Sequence, residues 1–113
     1  MTESVQRLLT VRDQARQARD EAQRALQQAE QQCAQARSQG QMLQSYRSDT
    51  AVRWTTPRDR ATDTVQMDTA HHFLARLDTA LRQHEFNLHQ VTTQATQRRA
   101  ALLAAETRLA ALN

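Results

Sequence analysis

Apolar and small side chains recur along the first half of the chain in alternating steps of three and four residues. The members of this stripe are Leu8, Val11, Ala15, Ala18, Ala22, Ala25, Ala29, Ala36, Leu43 and Tyr46. Gln32 and Gln39 occupy two positions where further members are expected. This spacing is the heptad pattern of a helix that buries one narrow seam against a partner helix. It predicts a first helix over about residues 4–54, with Cys33 and Gly40 each one place beside the seam.

The second half of the chain repeats the pattern without a fault. Its stripe comprises Ala70, Leu74, Leu77, Leu81, His84, Leu88, Val91, Ala95, Arg98, Leu102, Ala105, Leu109 and Leu112. It predicts a second helix over about residues 66–112. At Arg98 the side-chain stem is expected to lie on the seam while the guanidinium reaches water.

Pro57 lies between the two stripes and disfavours helix at the residue before it. We expect a connection over about residues 55–65, with room for one short helical turn. Two long helices joined by so short a segment fold back on each other. The predicted fold is therefore all-α, a single antiparallel two-helix coiled-coil hairpin over residues 1–113.

One alignment of the two stripes extends from the open end of the hairpin to its turn. It pairs Leu8 with Leu112, Ala29 with Val91 and Tyr46 with Leu74, and it places His84 opposite Ala36. The same alignment brings Arg19 against Arg99, which is unfavourable.

Composition narrows the function classes. A single Gly and a single Pro cannot supply the turns of a sandwich, a barrel or a βαβ fold. The 15 basic residues, all arginine, are interspersed with 12 acids, for a net charge of +3. A hairpin that binds nucleic acid is an alternative, but this mixing argues against it. A self-associating coiled-coil scaffold is a second alternative.

The lone Cys33 fits a reducing compartment, and no signal peptide or bilayer-spanning segment is evident. We therefore predict a cytoplasmic protein without direct membrane insertion. No nucleophile, phosphate-loop or zinc-ligand motif is present. His71, His72, His84 and His89 lack the spacing that places two ligands on one helical face. No enzyme activity, metal or cofactor is predicted.

The apolar surface near the turn is wider than one partner helix can cover. Phe73 and Ala80 lie beside the second seam, at the level of Met42 and Tyr46. This width indicates a protein-binding face, although the connection or a second copy of the chain are alternative covers. Trp54 is either a partner anchor or a cap on the seam.

The residues that carry this width also carry a family resemblance. The stretch from Gln39 to Tyr46 includes Met42 and Leu43, and the stretch 73–84 begins with Phe73 and ends with His84. Together they resemble the FliJ family, coiled-coil proteins of the bacterial flagellar type III export apparatus. The resemblance covers nearly the whole chain.

The resemblance implies a non-enzymatic central stalk and adaptor at the cytoplasmic side of the inner membrane. Its implied partners are a hexameric export ATPase, whose pore receives the open end of the hairpin, the cytoplasmic region of the export-gate membrane protein, and export chaperones. The implied gate-binding residues are Gln39, Leu43, Tyr46, Phe73, Leu77, Ala80 and His84. The equivalent stalk of a virulence-type secretion system is an alternative that sequence alone separates poorly.

Arginines are concentrated toward the open end. The set expected to face the ATPase is Arg7, Arg12, Arg16, Arg98, Arg99 and Arg108, and an ordinary solvated helix face is the alternative.

Two features depart from the family pattern. Thr50 stands where a second aromatic side chain is often found, which predicts a weaker edge of the gate-binding surface. The chain also stops at Asn113, earlier than is common, which predicts a truncated chain or a short member.

Overall fold

The computed structural model describes residues 2–55 and 64–113, and within these ranges every residue except Asn113 is helical. Helix α1 spans Thr2–Thr55 and helix α2 spans Thr64–Leu112. Neither helix contains proline, and both are rich in alanine, glutamine and arginine, which have high helix propensity. Most of the predicted connection, including Pro57, lies outside the described residues.

The fold divides into two compact units, and both helices contribute to each. Unit 1 comprises the described residues up to Cys33 together with Gln90–Asn113, and unit 2 comprises Ala34–His89. In each unit α1 packs antiparallel against α2, because residues later in α1 contact residues earlier in α2. The predicted all-α antiparallel hairpin is therefore confirmed.

The core of unit 1 is built from small side chains. Ala29, Cys33 and Ala95 are buried together, with Val91 packed against them. The buried or half-buried residues along the seam of this unit are Val11, Arg12, Ala15, Arg19, Ala22, Ala25, Leu26, Ala29 and Cys33 on α1, and Val91, Ala95, Leu102, Ala105, Leu109 and Leu112 on α2. Small side chains at these positions allow the two helix backbones to approach closely.

Apart from Leu43 on α1 and Ala70 on α2, the seam of unit 2 places larger side chains of α2 opposite small or polar ones of α1. Its α1 members are Ala36, Gly40, Leu43, Arg47 and Thr50, and its α2 members are Ala70, Leu74, Leu77, Leu81, His84 and Leu88. Thr50 is only 6% exposed, and its hydroxyl donates a hydrogen bond to the carbonyl of Tyr46 at 2.8 Å. The hydroxyl is thus satisfied within its own helix.

The α2 seam was predicted correctly except at Arg98, which is exposed. The prediction of the α1 seam was correct only in part. The line through Ala15, Ala22, Ala29, Ala36 and Leu43 is buried or half-buried as expected. On the predicted second line Val11 and Ala25 are half-buried, but its other members are exposed, and from Leu26 onward burial falls one residue later. Helix α1 buries Cys33 and half-buries Gly40, whereas the predicted positions Gln32 and Gln39 are exposed. Burying the thiol rather than the amides avoids the cost of desolvating two polar groups.

The pairing of the helices also differs from the predicted alignment. Val91 lies opposite Cys33 rather than Ala29, since the Cys33 thiol donates to the Val91 carbonyl at 3.2 Å. His84 lies against Gly40 rather than Ala36. In both pairs the partner on α1 lies about one helical turn later in the sequence than predicted.

This register also explains why the first residues of α1 are exposed. Leu8, predicted opposite Leu112, is 55% exposed, and every described residue before Val11 is exposed as well. The predicted repulsion between Arg19 and Arg99 is also avoided, because Arg99 lies 3.5 Å from Glu30.

Neither α1 nor α2, over the residues that the structure describes, contains a stretch long and apolar enough to cross a bilayer.

Candidate partner-binding site

All seven residues implied as gate-binding lie in unit 2. We call the surface that they form the Tyr46–Phe73 face; it comprises Gln39, Leu43, Tyr46, Phe73, Leu77, Ala80 and His84. Gln39 and Tyr46 are exposed, and the other five are half-buried. Half-burial follows from their position, because each lies on the seam or directly beside it. The face thus presents side chains that the hairpin itself holds in place.

The two aromatic side chains of this face touch across the hairpin. The rings of Tyr46 and Phe73 pack edge to face, with centroids 6.2 Å apart and an interplanar angle of 81°. This geometry is favourable because the positive edge of one ring meets the negative face of the other. Tyr46 nevertheless remains 54% exposed. The pair therefore joins α1 to α2 and leaves aromatic surface available for a partner.

The opposite flank of unit 2 is closed by an ion pair. The Arg47 guanidinium donates from Nε to the Asp78 carboxylate at 2.9 Å. Because a helix turns by about 100° per residue, Arg47 and Asp78 are rotated away from Tyr46 and Leu77 in the same sense. This hydrogen bond, donated by Arg47 and accepted by Asp78, lowers the pKa of Asp78 and raises the pKa of Arg47. The two flanks of the seam thus differ, one apolar and aromatic, the other charged.

His84 differs from the other members of the Tyr46–Phe73 face in the way it is held. Its Nε2 atom is buried and has no hydrogen-bond partner among the residues that the structure describes. The imidazole lies against Gly40, where the absence of a side chain leaves room for the ring. At its Nε2 end the ring is therefore held by packing against Gly40.

Sequence reasoning missed two features of the site and misjudged a third. Gly40 was placed beside the seam, and the Arg47–Asp78 pair was not predicted at all. The signal available was their opposite charge, at levels that match only when the predicted register is shifted by about one turn. Thr50, expected at the edge of the surface, is a buried seam residue. Met42, one turn before Tyr46, is 70% exposed and extends the apolar surface along α1.

Trp54 lies in the last turn of α1 and is 43% exposed. Part of its ring is therefore accessible on unit 2.

The six arginines expected to face an ATPase all lie in unit 1. They do not form one patch, because Arg108 follows Arg99 by two and a half turns and therefore lies on the opposite side of α2. Arg12 is half-buried, and its Nε is buried without a hydrogen-bond partner within residues 2–55 and 64–113. The set surrounds the unit rather than lining one flank.

The chemistry available on both units is that of binding. Across the described part of the chain, no group of three His, Cys, Asp or Glu side chains is placed to hold a metal ion. An exposed aromatic and apolar surface with polar neighbours is suited to contact with another protein.

The chain was compared with protein families, curated proteins and solved structures. The family model described as flagellar FliJ protein matches residues 4–113. No curated protein and no solved structure matches the chain.

Proposed function

The chain belongs to the flagellar FliJ protein family, and we propose that it is a central stalk and adaptor of the flagellar type III export apparatus. Membership makes it a non-catalytic component of that apparatus. The proposal adds three partners: the hexameric export ATPase, the cytoplasmic region of the export-gate membrane protein, and export chaperones. It also places the protein in the cytoplasm, peripheral to the inner-membrane apparatus.

The observation that supports gate binding is the asymmetry of unit 2. On one flank the edge-to-face pair of Tyr46 and Phe73 leaves aromatic surface exposed, and on the other Arg47 and Asp78 neutralise each other. A partner that covers apolar surface gains on the first flank and not on the second. We assign gate binding to the Tyr46–Phe73 face.

The test measures affinity for the purified cytoplasmic region of the export-gate protein by isothermal titration calorimetry. Tyr46→Ala and Phe73→Ala are each expected to weaken binding by about tenfold or more, as central aromatic contacts do. Phe86→Ala is the matched control, because it removes the same side chain from the same unit. Phe86 is 66% exposed and lies on the outer side of α2, two residues after His84.

Circular dichroism melts accompany each titration, because Phe73 also contributes to packing within the hairpin. The assignment is wrong if Phe86→Ala weakens binding as much as Tyr46→Ala does.

ATPase binding is assigned to unit 1 because its arginines surround that unit. Arg99 is 62% exposed despite its contact with Glu30, so its charge is accessible to an acidic surface. The readout is stimulation of the hexameric export ATPase by the added protein. The triple substitution Arg98→Gln, Arg99→Gln and Arg108→Gln is expected to reduce stimulation and to leave gate binding intact.

Arg76→Gln in unit 2 is the control for this experiment, since it removes an exposed arginine elsewhere. Equal loss of stimulation in both variants would assign the effect to net charge rather than to unit 1.

A further inference from the structure

Gly40 stands in the middle of a long helix, where glycine is unfavourable by about 1 kcal/mol relative to alanine. Its backbone does not explain its presence, because its φ is not positive. The reason is spatial. A methyl group built on Gly40 would lie 2.6 Å from Nε2 and 2.8 Å from Cδ2 of His84. Both distances are well below van der Waals contact.

The three atoms nearest to such a methyl group all belong to this imidazole. The third nearest atom, Cε1 at 3.7 Å, belongs to the same ring. The ring has no hydrogen bond at Nε2 within the described residues, so no bond at this buried atom has to break when the ring moves. An added methyl group would therefore displace the ring, which two side-chain torsions allow, rather than either helix.

The direction of that displacement follows from where His84 lies. His84 comes four residues after Ala80 and seven after Leu77, on the same side of α2. A ring expelled from the seam therefore protrudes from the Tyr46–Phe73 face, of which His84 is a member, and changes the shape of that surface at its end.

We infer that Gly40 is a positioning residue of the Tyr46–Phe73 face: its missing side chain forms the slot that keeps the His84 imidazole in the seam. The consequence for partner binding rests on the gate-binding function proposed above. Gly40 itself contacts no partner and acts only through His84.

The first experiment needs no partner. Diethyl pyrocarbonate modifies accessible imidazoles, and mass spectrometry measures the rate at each of the four histidines. His71, His72 and His89 are exposed and serve as internal references. In the wild-type protein His84 should react several-fold more slowly than these references, and in Gly40→Ala its rate should approach theirs.

The second experiment measures affinity for the cytoplasmic region of the export-gate protein. Gly40→Ala is expected to weaken binding by about fivefold while the helix melts at the same or a higher temperature. In a His84→Ala background, Gly40→Ala should have no further effect on affinity, because no ring remains to be displaced. A purely structural role of Gly40 would alter the melt and would not depend on His84.

The outcomes separate the two claims. An unchanged His84 reaction rate in Gly40→Ala overturns the inference, and so does an unchanged affinity when that rate has risen. A wild-type protein that does not bind the gate region overturns the proposed function instead. The histidine reaction rates would still decide whether Gly40 holds the ring.

Discussion

Arg47 of α1 and Asp78 of α2 are joined by two parallel hydrogen bonds, from Nε to Oδ1 at 2.9 Å and from Nη2 to Oδ2 at 3.3 Å. A guanidinium bound in this way has its orientation fixed as well as its distance. In the alignment favoured by the apolar side chains alone, Asp78 would lie opposite Met42, more than one helical turn away from Arg47. The pair therefore selects one register of the hairpin over its neighbour.

Charge reversal tests this role. Arg47→Asp alone creates a like-charge contact with Asp78, and we expect the melting temperature to fall by about 3 °C for a partly exposed pair. The double variant Arg47→Asp with Asp78→Arg restores an ion pair and should recover most of the loss. If the double variant melts at or below the single one, the two residues do not interact as described.

Acid should remove the contribution of this pair. The pKa of Asp78 is lowered from its ordinary value of 3.8, first by the hydrogen bond from Arg47. A carboxylate with a lowered pKa in the folded state stabilises that state above the unfolded value and loses this effect as the pH falls through the folded value. The melting-temperature difference between wild type and Asp78→Asn should be constant above pH 5 and shrink below pH 4.

An Arg47→Ala background is the control for the pH experiment. There the Asp78→Asn difference should be small at every pH, because the group that lowers the pKa most is gone and only the weaker attraction of Arg82 remains. A pH-dependent difference that survives in this background would point to another charged neighbour.

The register at the open end can be tested with two leucines. Leu109 is 7% exposed and Leu8 is 55% exposed. Leu109→Ala should cost about 2 kcal/mol, at the low end for a buried leucine because a two-helix seam is narrow. Leu8→Ala should change the free energy of unfolding by less than about 0.5 kcal/mol. Equal losses in urea titrations would instead support the pairing of Leu8 with Leu112.

The sequence predicted α2 better than α1 for a physical reason. Large apolar residues such as Leu77, Leu81 and Leu88 mark the seam of α2 unambiguously, since exposing them is costly. On α1, alanines at positions 18 and 25 occupy the line next to the true one, and alanine costs little whether buried or exposed. The period of the pattern was therefore clear while the second line of the seam was not.

The register and the site were less predictable than the fold. An Ala-rich seam packs almost equally well after a shift of one turn, so shape and charge decide between the two pairings. Gly40 makes room for His84, and Arg47 matches Asp78. An alignment of apolar positions ignores both relationships. From the sequence, Tyr46 and Phe73 could be placed only at the same level of the two helices. Their ring contact could not be predicted, because it depends on how far the side chains reach and not on the register alone.

The displaced seam line of α1 can be tested by substituting two neighbouring residues, one on the line and one beside it. Cys33 is 6% exposed in a core of small side chains, whereas its neighbour Gln32, which the heptad pattern places on the seam, is exposed. Cys33→Leu adds volume between helices held close by Ala29 and Ala95, and it should destabilise the hairpin by about 1–3 kcal/mol. Gln32→Leu is the matched variant and should change stability by less than about 0.5 kcal/mol. Urea titrations of both variants, with sedimentation to detect self-association of the new surface leucine, measure the difference. Stabilisation by Gln32→Leu together with tolerance of Cys33→Leu would mean that α1 buries the line through Gln32, and the pairing of Cys33 with Val91 would then be wrong.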